Sequence, residues 1–142
     1  MRSNDLEALA GDLTLYAARV VRLLRRELPQ PVGMRVLSVL DESGPLGITQ
    51  LALIDQCSQP TMSGTVNALV ERGWVTKQPD ADDARSSRVA LTAAGRRTLS
   101  TARKANGTAI AARLRAAGTD PDDAATAIAV LRSILESPKG TS

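Results

Sequence analysis

The stretch Ser58-Gln59-Pro60-Thr61-Met62-Ser63-Gly64-Thr65-Val66-Asn67-Ala68-Leu69-Val70-Glu71-Arg72-Gly73 decides the fold. Ser58 suits a helix cap, Pro60 suits a first turn where its missing N–H leaves nothing unpaired, and Gly73 suits a left-handed close. About four turns of helix lie between those signals. Met62, Val66, Leu69 and Val70 recur at helical spacing, which predicts that they face inward. The opposite face offers Gln59, Thr61, Ser63, Gly64 and Asn67. These groups are short, uncharged and rich in hydrogen-bonding atoms, as a helix sliding into a DNA major groove requires. Glycine inside a helix costs about 1 kcal/mol against alanine and is best tolerated where a backbone or ligand comes close. Taken alone, the same pattern also fits an ordinary polar helix face.

The flanking segments favour the first reading. Upstream, Thr49-Gln50-Leu51-Ala52-Leu53-Ile54-Asp55 reads as a short capped helix, and Gln56-Cys57 as the turn joining it to the longer one. That order is helix-turn-helix grammar. Downstream, Trp74-Val75-Thr76-Lys77-Gln78 and Arg88-Val89-Ala90-Leu91-Thr92 read as two strands by their β-branched content, separated by the polar loop from Pro79 to Ser87. Gly47-Ile48 is a candidate for a very short strand pairing with this hairpin. Helix, turn, helix and hairpin make a winged helix.

These blocks resemble the MarR family of bacterial transcription regulators. The resemblance rests on Leu51-Ala52, Ser58-x-Pro60-Thr61-x-Ser63, Leu69-Val70-Glu71-Arg72-Gly73-Trp74-Val75, Asp83-x-Arg85 and Val89-x-Leu91-Thr92-x-x-Gly95. It continues in outline over nearly the whole chain. It implies a mainly α fold, a winged helix-turn-helix with long N- and C-terminal helices forming a dimerisation region. It also implies a homodimer whose second helix enters the major groove. By position, Arg85 corresponds to the wing-tip arginine that reaches the minor groove, and Asp83 to the carboxylate that steadies the wing. Where many members carry a basic residue, this chain has Gly64.

Composition sets outer bounds. A chain of 142 residues with 43% hydrophobic content is one domain able to bury a core. Trp74 and Tyr16 are the only aromatics, which disfavours a stacking platform for single-stranded nucleic acid. A net charge of +3 is compatible with DNA without establishing it. With no His and one Cys, imidazole bases and the usual metal sets are absent, so neither an enzyme nor a cofactor or metal site is expected. Asp80, Asp82 and Asp83 sit in a solvated loop unsuited to general acid chemistry. No signal-peptide pattern and no membrane-length apolar run appear, so a cytoplasmic protein is expected. Cys57, in the turn, reads as a structural thiol rather than a redox sensor.

The remaining segments assign themselves in order. Asp5 to Leu28 is a long amphipathic helix with Leu6, Leu9, Leu13, Tyr16, Val20, Leu23 and Leu24 on one face. Arg19, Arg22, Arg25 and Arg26 lie on its other sides, and the nearby Glu27 and Asp12 favour a solvated face over a phosphate-binding stripe. A second helix runs from about Gly33 to Leu40, with Val36, Leu37 and Leu40 inward. Thr92 caps a helix running to about Ala117, with Arg96, Arg97, Arg103, Lys104, Arg113 and Arg115 and no acidic residue. The basic residues at its start fit a DNA backbone, those at its end an acidic partner segment, and all of them plain solvation. Asp120-Pro121-Asp122-Asp123 opens a last helix, apolar at Ala124, Ala127, Ile128, Leu131, Ile134 and Leu135, and Ser137 to Ser142 reads as a frayed tail. So much apolar surface on terminal helices predicts a dimer.

The expected organisation is therefore a winged region over 29–92 and dimerisation helices over 1–28 and 93–142 of a single structural domain. The expected function is a homodimeric repressor on a palindromic double-stranded DNA operator, its half-sites about 10 bp apart centre to centre. Ser58, Gln59, Pro60, Thr61, Ser63, Gly64 and Asn67 are the candidate DNA contacts on the helix, and Arg85 and Arg88 those on the wing. The alternative is a winged-helix module for protein contacts without DNA binding. The resemblance further implies release by a small aromatic or phenolic effector bound between the dimer base and the winged region. Tyr16, Met34 and Arg35 have suitable chemistry for it.

Overall fold

A computed structural model describes residues 2–83 and 85–138; the expected tail lies outside the described residues from Lys139 onward. Nine elements follow in order: α1 (Ser3–Glu27), α2 (Met34–Ser43), β1 (Leu46–Gly47), α3 (Ile48–Asp55), α4 (Gln59–Glu71), β2 (Val75–Pro79), β3 (Ser87–Leu91), α5 (Ala93–Ala116) and α6 (Pro121–Glu136). The chain separates into two compact units, residues 1–106 and 107–142, with the division inside α5.

In the first unit, α2, α3 and α4 close around a core that the wing completes. Val36, Leu37 and Leu40 come from α2, Leu51 and Ala52 from α3, and Met62, Val66 and Leu69 from α4. Val75, Val89 and Leu99 complete it from β2, β3 and α5. Each fully buried aliphatic side chain contributes about 1.5–3 kcal/mol relative to exposure, which fixes the angle at which α4 is presented. Val70 does not join this core and is 39% exposed. Met62, Val66 and Leu69 form the narrow stripe, and Val70 lies at its edge because each residue turns the helix by about 100°.

The sheet is antiparallel with strand order β1-β3-β2. Val75 stands opposite Leu91, Lys77 opposite Val89 and Pro79 opposite Ser87, while Leu46 and Gly47 pair with Val89 and Arg88. The short strand therefore lies one residue earlier than expected, because Ile48 already begins α3. Gly47, rather than Thr49, heads that helix, and its N–H donates to Gln50 Oε1 at 3.0 Å.

The joints follow from local chemistry. Between α3 and α4 the chain reverses at Gln56, whose φ of 55° is left-handed, and the Cys57 N–H donates to the Ala52 carbonyl at 3.0 Å. Cys57 packs half-buried against the core. Gly73 takes a φ of 73°, letting the Trp74 N–H return to the Leu69 carbonyl at 3.0 Å. Thr92 then ties wing to helix: its Oγ1 donates to the Gly73 carbonyl at 2.6 Å and accepts the Gly95 N–H at 3.0 Å.

No residue of α1 or α6 is fully buried within the chain, though Leu23 and Leu24 of α1 and Ala124 of α6 are half-buried. In the second unit, Asp120 caps α6 by accepting the Asp122 N–H at 2.9 Å. Ile128, Leu131, Ile134 and Leu135 are 56%, 43%, 57% and 85% exposed, an apolar stripe along one side of the helix.

Candidate nucleic-acid interface

Helix α4 carries the site because its inner stripe is anchored in the core and its outer face is left open. Ser58 Oγ accepts the Thr61 N–H at 3.2 Å and donates to Thr61 Oγ1 at 2.9 Å, so cap and first turn are locked together. Ser58, Gln59, Pro60, Thr61, Gly64 and Asn67 are exposed, and Ser63 is half-buried at the edge of the stripe. A Cβ added at Gly64 meets nothing within 4 Å, so the glycine leaves a shallow place on the outer face rather than relieving an internal clash.

Two of these polar groups are already held. Gln59 Nε2 donates to Thr49 Oγ1 at 3.1 Å, which ties the start of α4 to α3. Asn67 Oδ1 accepts Lys77 Nζ at 2.7 Å, which joins the middle of α4 to the wing. Lys77 is the residue that sequence reasoning missed. Its signal was present: strand alternation puts it on the face of Val75, towards α4, and a lysine there places a cation beside the helix. An ammonium at that position suits a phosphate, a contact that positions a duplex without specifying its sequence.

The wing loop is built from main-chain and aspartate bonds. The Asp80 N–H donates to the Ser86 carbonyl and the Ser86 N–H to the Asp83 carbonyl, both at 3.1 Å. Asp80 Oδ1 accepts the Asp82 N–H, and Asp83 Oδ1 accepts the Arg85 N–H, both at 3.0 Å. Asp83 thus fixes the backbone of the residue whose side chain leaves the tip, and Arg85 and Arg88 are both exposed. Below the wing, Arg72 lies over the Trp74 ring at 4.9 Å.

A separate cleft of about 780 Å³ opens between the end of α1, α2 and the first half of α5, lined among others by Leu24, Leu28, Met34, Arg35, Thr65 and Leu99. Met34 and Arg35 therefore share one cavity. Tyr16 does not line it; its ring carries the Arg19 guanidinium at 5.4 Å. Arg35 Nη1 is bonded to Asp55 Oδ1 at 2.9 Å across the cleft wall. Later in α2, Asp41 supplies negative charge to the basic α5, meeting Arg103 Nη1 at 3.0 Å and Arg96 Nε at 3.9 Å.

Among the described residues, no group of three or more His, Cys, Asp or Glu side chains is placed to hold a metal ion. Nor is any helix of the described residues long and apolar enough to cross a membrane.

A helix-turn-helix braced by a three-stranded wing defines the winged-helix class. Residues 31–87 match the MarR family. The chain is 31% identical over 136 residues to an uncharacterized HTH-type transcriptional regulator of Mycobacterium leprae, covering 92% of this chain and 95% of that one. A putative transcriptional regulator from Pseudomonas aeruginosa shares the fold with a TM-score of 0.70 at 23% identity, over 97% of this chain and 100% of that one. A mutant E. coli MarR crystallised in complex with operator DNA aligns with a TM-score of 0.57 at 20% identity, over 92% and 94% of the two chains. The chain belongs to the MarR family: it is a DNA-binding, HTH-type transcription regulator and not an enzyme.

Proposed function

We propose that the protein is a homodimeric repressor that binds a palindromic operator in the bacterial cytoplasm, with the helices α1, α5 and α6 forming the dimerisation region. The observation that carries this reading is the outer face of α4. It is exposed, free of long charged side chains, rigidly mounted and flanked by an aspartate-braced wing arginine. Gln59, Thr61, Ser63 and Asn67 meet bases or phosphates, and Gly64 lets the groove wall approach the backbone. Ser58 and Pro60 open the helix, where a phosphate is attracted to its positive end. Arg85, with Arg88 behind it, probes a flanking minor groove, where A·T-rich narrowing deepens the negative potential.

A twofold axis that brings two α4 helices about one turn of B-DNA apart gives half-sites about 10 bp centre to centre. Selection of bound sequences from random duplex DNA tests this directly. An inverted repeat with that spacing is expected; enrichment of an unpaired site, or no enrichment, overturns it, the latter in favour of a protein-contact module.

Release fits the cleft beside α2. A small aromatic or phenolic anion there meets Met34 and Leu24 with its ring and Arg35 with its charge, in competition with Asp55. Tyr16 contributes only if the dimer brings it to that rim. Such a ligand acts by binding one spacing of the two α4 helices better than the other.

A further inference from the structure

The second half of α1 carries a feature that DNA reading does not use. Arg19, Arg22, Arg25 and Arg26 enclose an open groove of about 530 Å³. Their spacing places them on about one third of the helix circumference, beside the stripe of Leu9, Leu13, Tyr16 and Val20, with Arg19 at the border lying over the Tyr16 ring. All four are exposed, and none is a partner in the ion pairs that join Arg35 to Asp55 and Arg96 and Arg103 to Asp41. Like charges three and four residues apart repel one another along a helix unless an anion sits among them. Glu27 and Asp12 do not cancel four cations packed into about two turns.

The complementary charge lies at the start of α6. Asp120, Asp122 and Asp123 fall within one turn and are exposed. Asp120 is occupied as the cap, but the carboxylates of Asp122 and Asp123 enter no ion pair among the described residues. The helix they open is the one whose Ile128, Leu131, Ile134 and Leu135 need covering. A partner that covers that stripe comes within reach of Asp123 at its edge.

We propose that in the homodimer the acidic first turn of α6 from one copy seats on the arginine groove of α1 of the other, twice, related by the dyad. The inference rests on the homodimer reading and adds the charges that set its register. Arg19 to Arg26 spans about 10 Å along α1, and Asp122 with Asp123 offers four oxygens at its centre, enough for bidentate pairing with two guanidiniums. Because the dyad repeats the contact, each charge change is felt twice in one dimer.

Mixing of charge-reversed chains tests it. One variant carries Arg22→Glu with Arg26→Glu, the other Asp122→Lys with Asp123→Lys, and sedimentation equilibrium reads the dimer dissociation constant. Each variant alone is expected to dimerise more weakly, on the order of tenfold. An equimolar mixture is expected to recover the wild-type constant, because a mixed dimer holds one reversed contact and one native contact, both attractive. The neutral pair Asp122→Asn with Asp123→Asn, which keeps the helix start free of added positive charge, is expected to weaken the dimer and flatten its dependence on salt. A mixture no stronger than its components, or neutral variants as tight and as salt-sensitive as wild type, overturns the proposal. So does rescue of the arginine variant by Glu7→Lys with Asp12→Lys, which would hand the groove to the partner's α1. A wild-type chain that stays monomeric would instead bring down the homodimer reading itself.

Discussion

Gly64 and Arg85 are two different kinds of residue in the proposed reading surface. Gly64 sits mid-helix with open space where a Cβ would go, so nothing inside the protein requires glycine. Gly64→Ala is therefore expected to stabilise the fold by about 0.5–1 kcal/mol in urea unfolding and, at the same time, to weaken operator binding. Unchanged affinity in a gel-shift titration would show that no duplex approaches that backbone. Arg85 is the opposite case, a long cation whose main-chain N–H is held by Asp83 while its side chain stays exposed. Arg85→Ala is expected to cost about 1–3 kcal/mol of binding and to relax the preference for A·T-rich flanks, leaving the melting temperature within a degree or two of wild type. Equal binding across a salt series would remove it from the interface. Gly64 stood out by residue type and spacing, and Arg85 by the resemblance to the MarR family. Lys77 was not singled out, because its importance comes from the 2.7 Å bond to Asn67, ten residues earlier in the chain.

At the scale of elements, the junction of wing and α5 shows why the motif Val89-x-Leu91-Thr92-x-x-Gly95 holds together. Thr92 links the end of α4's turn to the start of α5, and Gly95 lies against the Trp74 carbonyl and the Leu91 side chain, where an added Cβ would overlap both. Gly95→Ala is expected to destabilise the fold by about 1–3 kcal/mol, since a backbone carbonyl cannot swing aside as a side chain can. Gly107→Ala, in the same helix with nothing within 4 Å of the added Cβ, serves as the contrast and is expected to be neutral or stabilising. If both substitutions cost the same in a denaturant series, the close approach is not what Gly95 provides. Helix starts at Ser58, Thr92 and Asp120 were readable in sequence because a cap acts on the backbone within three residues. The first strand was displaced by one residue from expectation because its position is set by pairing with Val89 and Arg88, some forty residues later.

For the whole molecule, α1 and α6 leave apolar faces exposed, and the proposed dimer would make association part of stability. Leu6 and Leu9 are 64% and 52% exposed on α1, comparable with Ile128 and Ile134 on α6. If covering them is what a second copy does, the melting temperature rises with protein concentration, because binding to the folded state stabilises it by mass action. A melting temperature independent of concentration over two or three decades, in a chain that sediments as a monomer, would contradict that expectation.

Local chemistry, written in neighbouring residues, settled most of this protein: where helices begin, which face of α4 turns inward, that a wing follows, and that the outer face of α4 is short and polar. Those features act over one or two turns, so spacing alone carries them. Packing decided the rest. It left Val70 at the surface, drew Asn67 to Lys77, set Arg35 against Asp55 and gathered Arg96 and Arg103 onto Asp41. Such partners meet only once the core around Leu37, Leu51 and Leu69 has fixed the distances between helices, and no pattern along the chain encodes a distance across it.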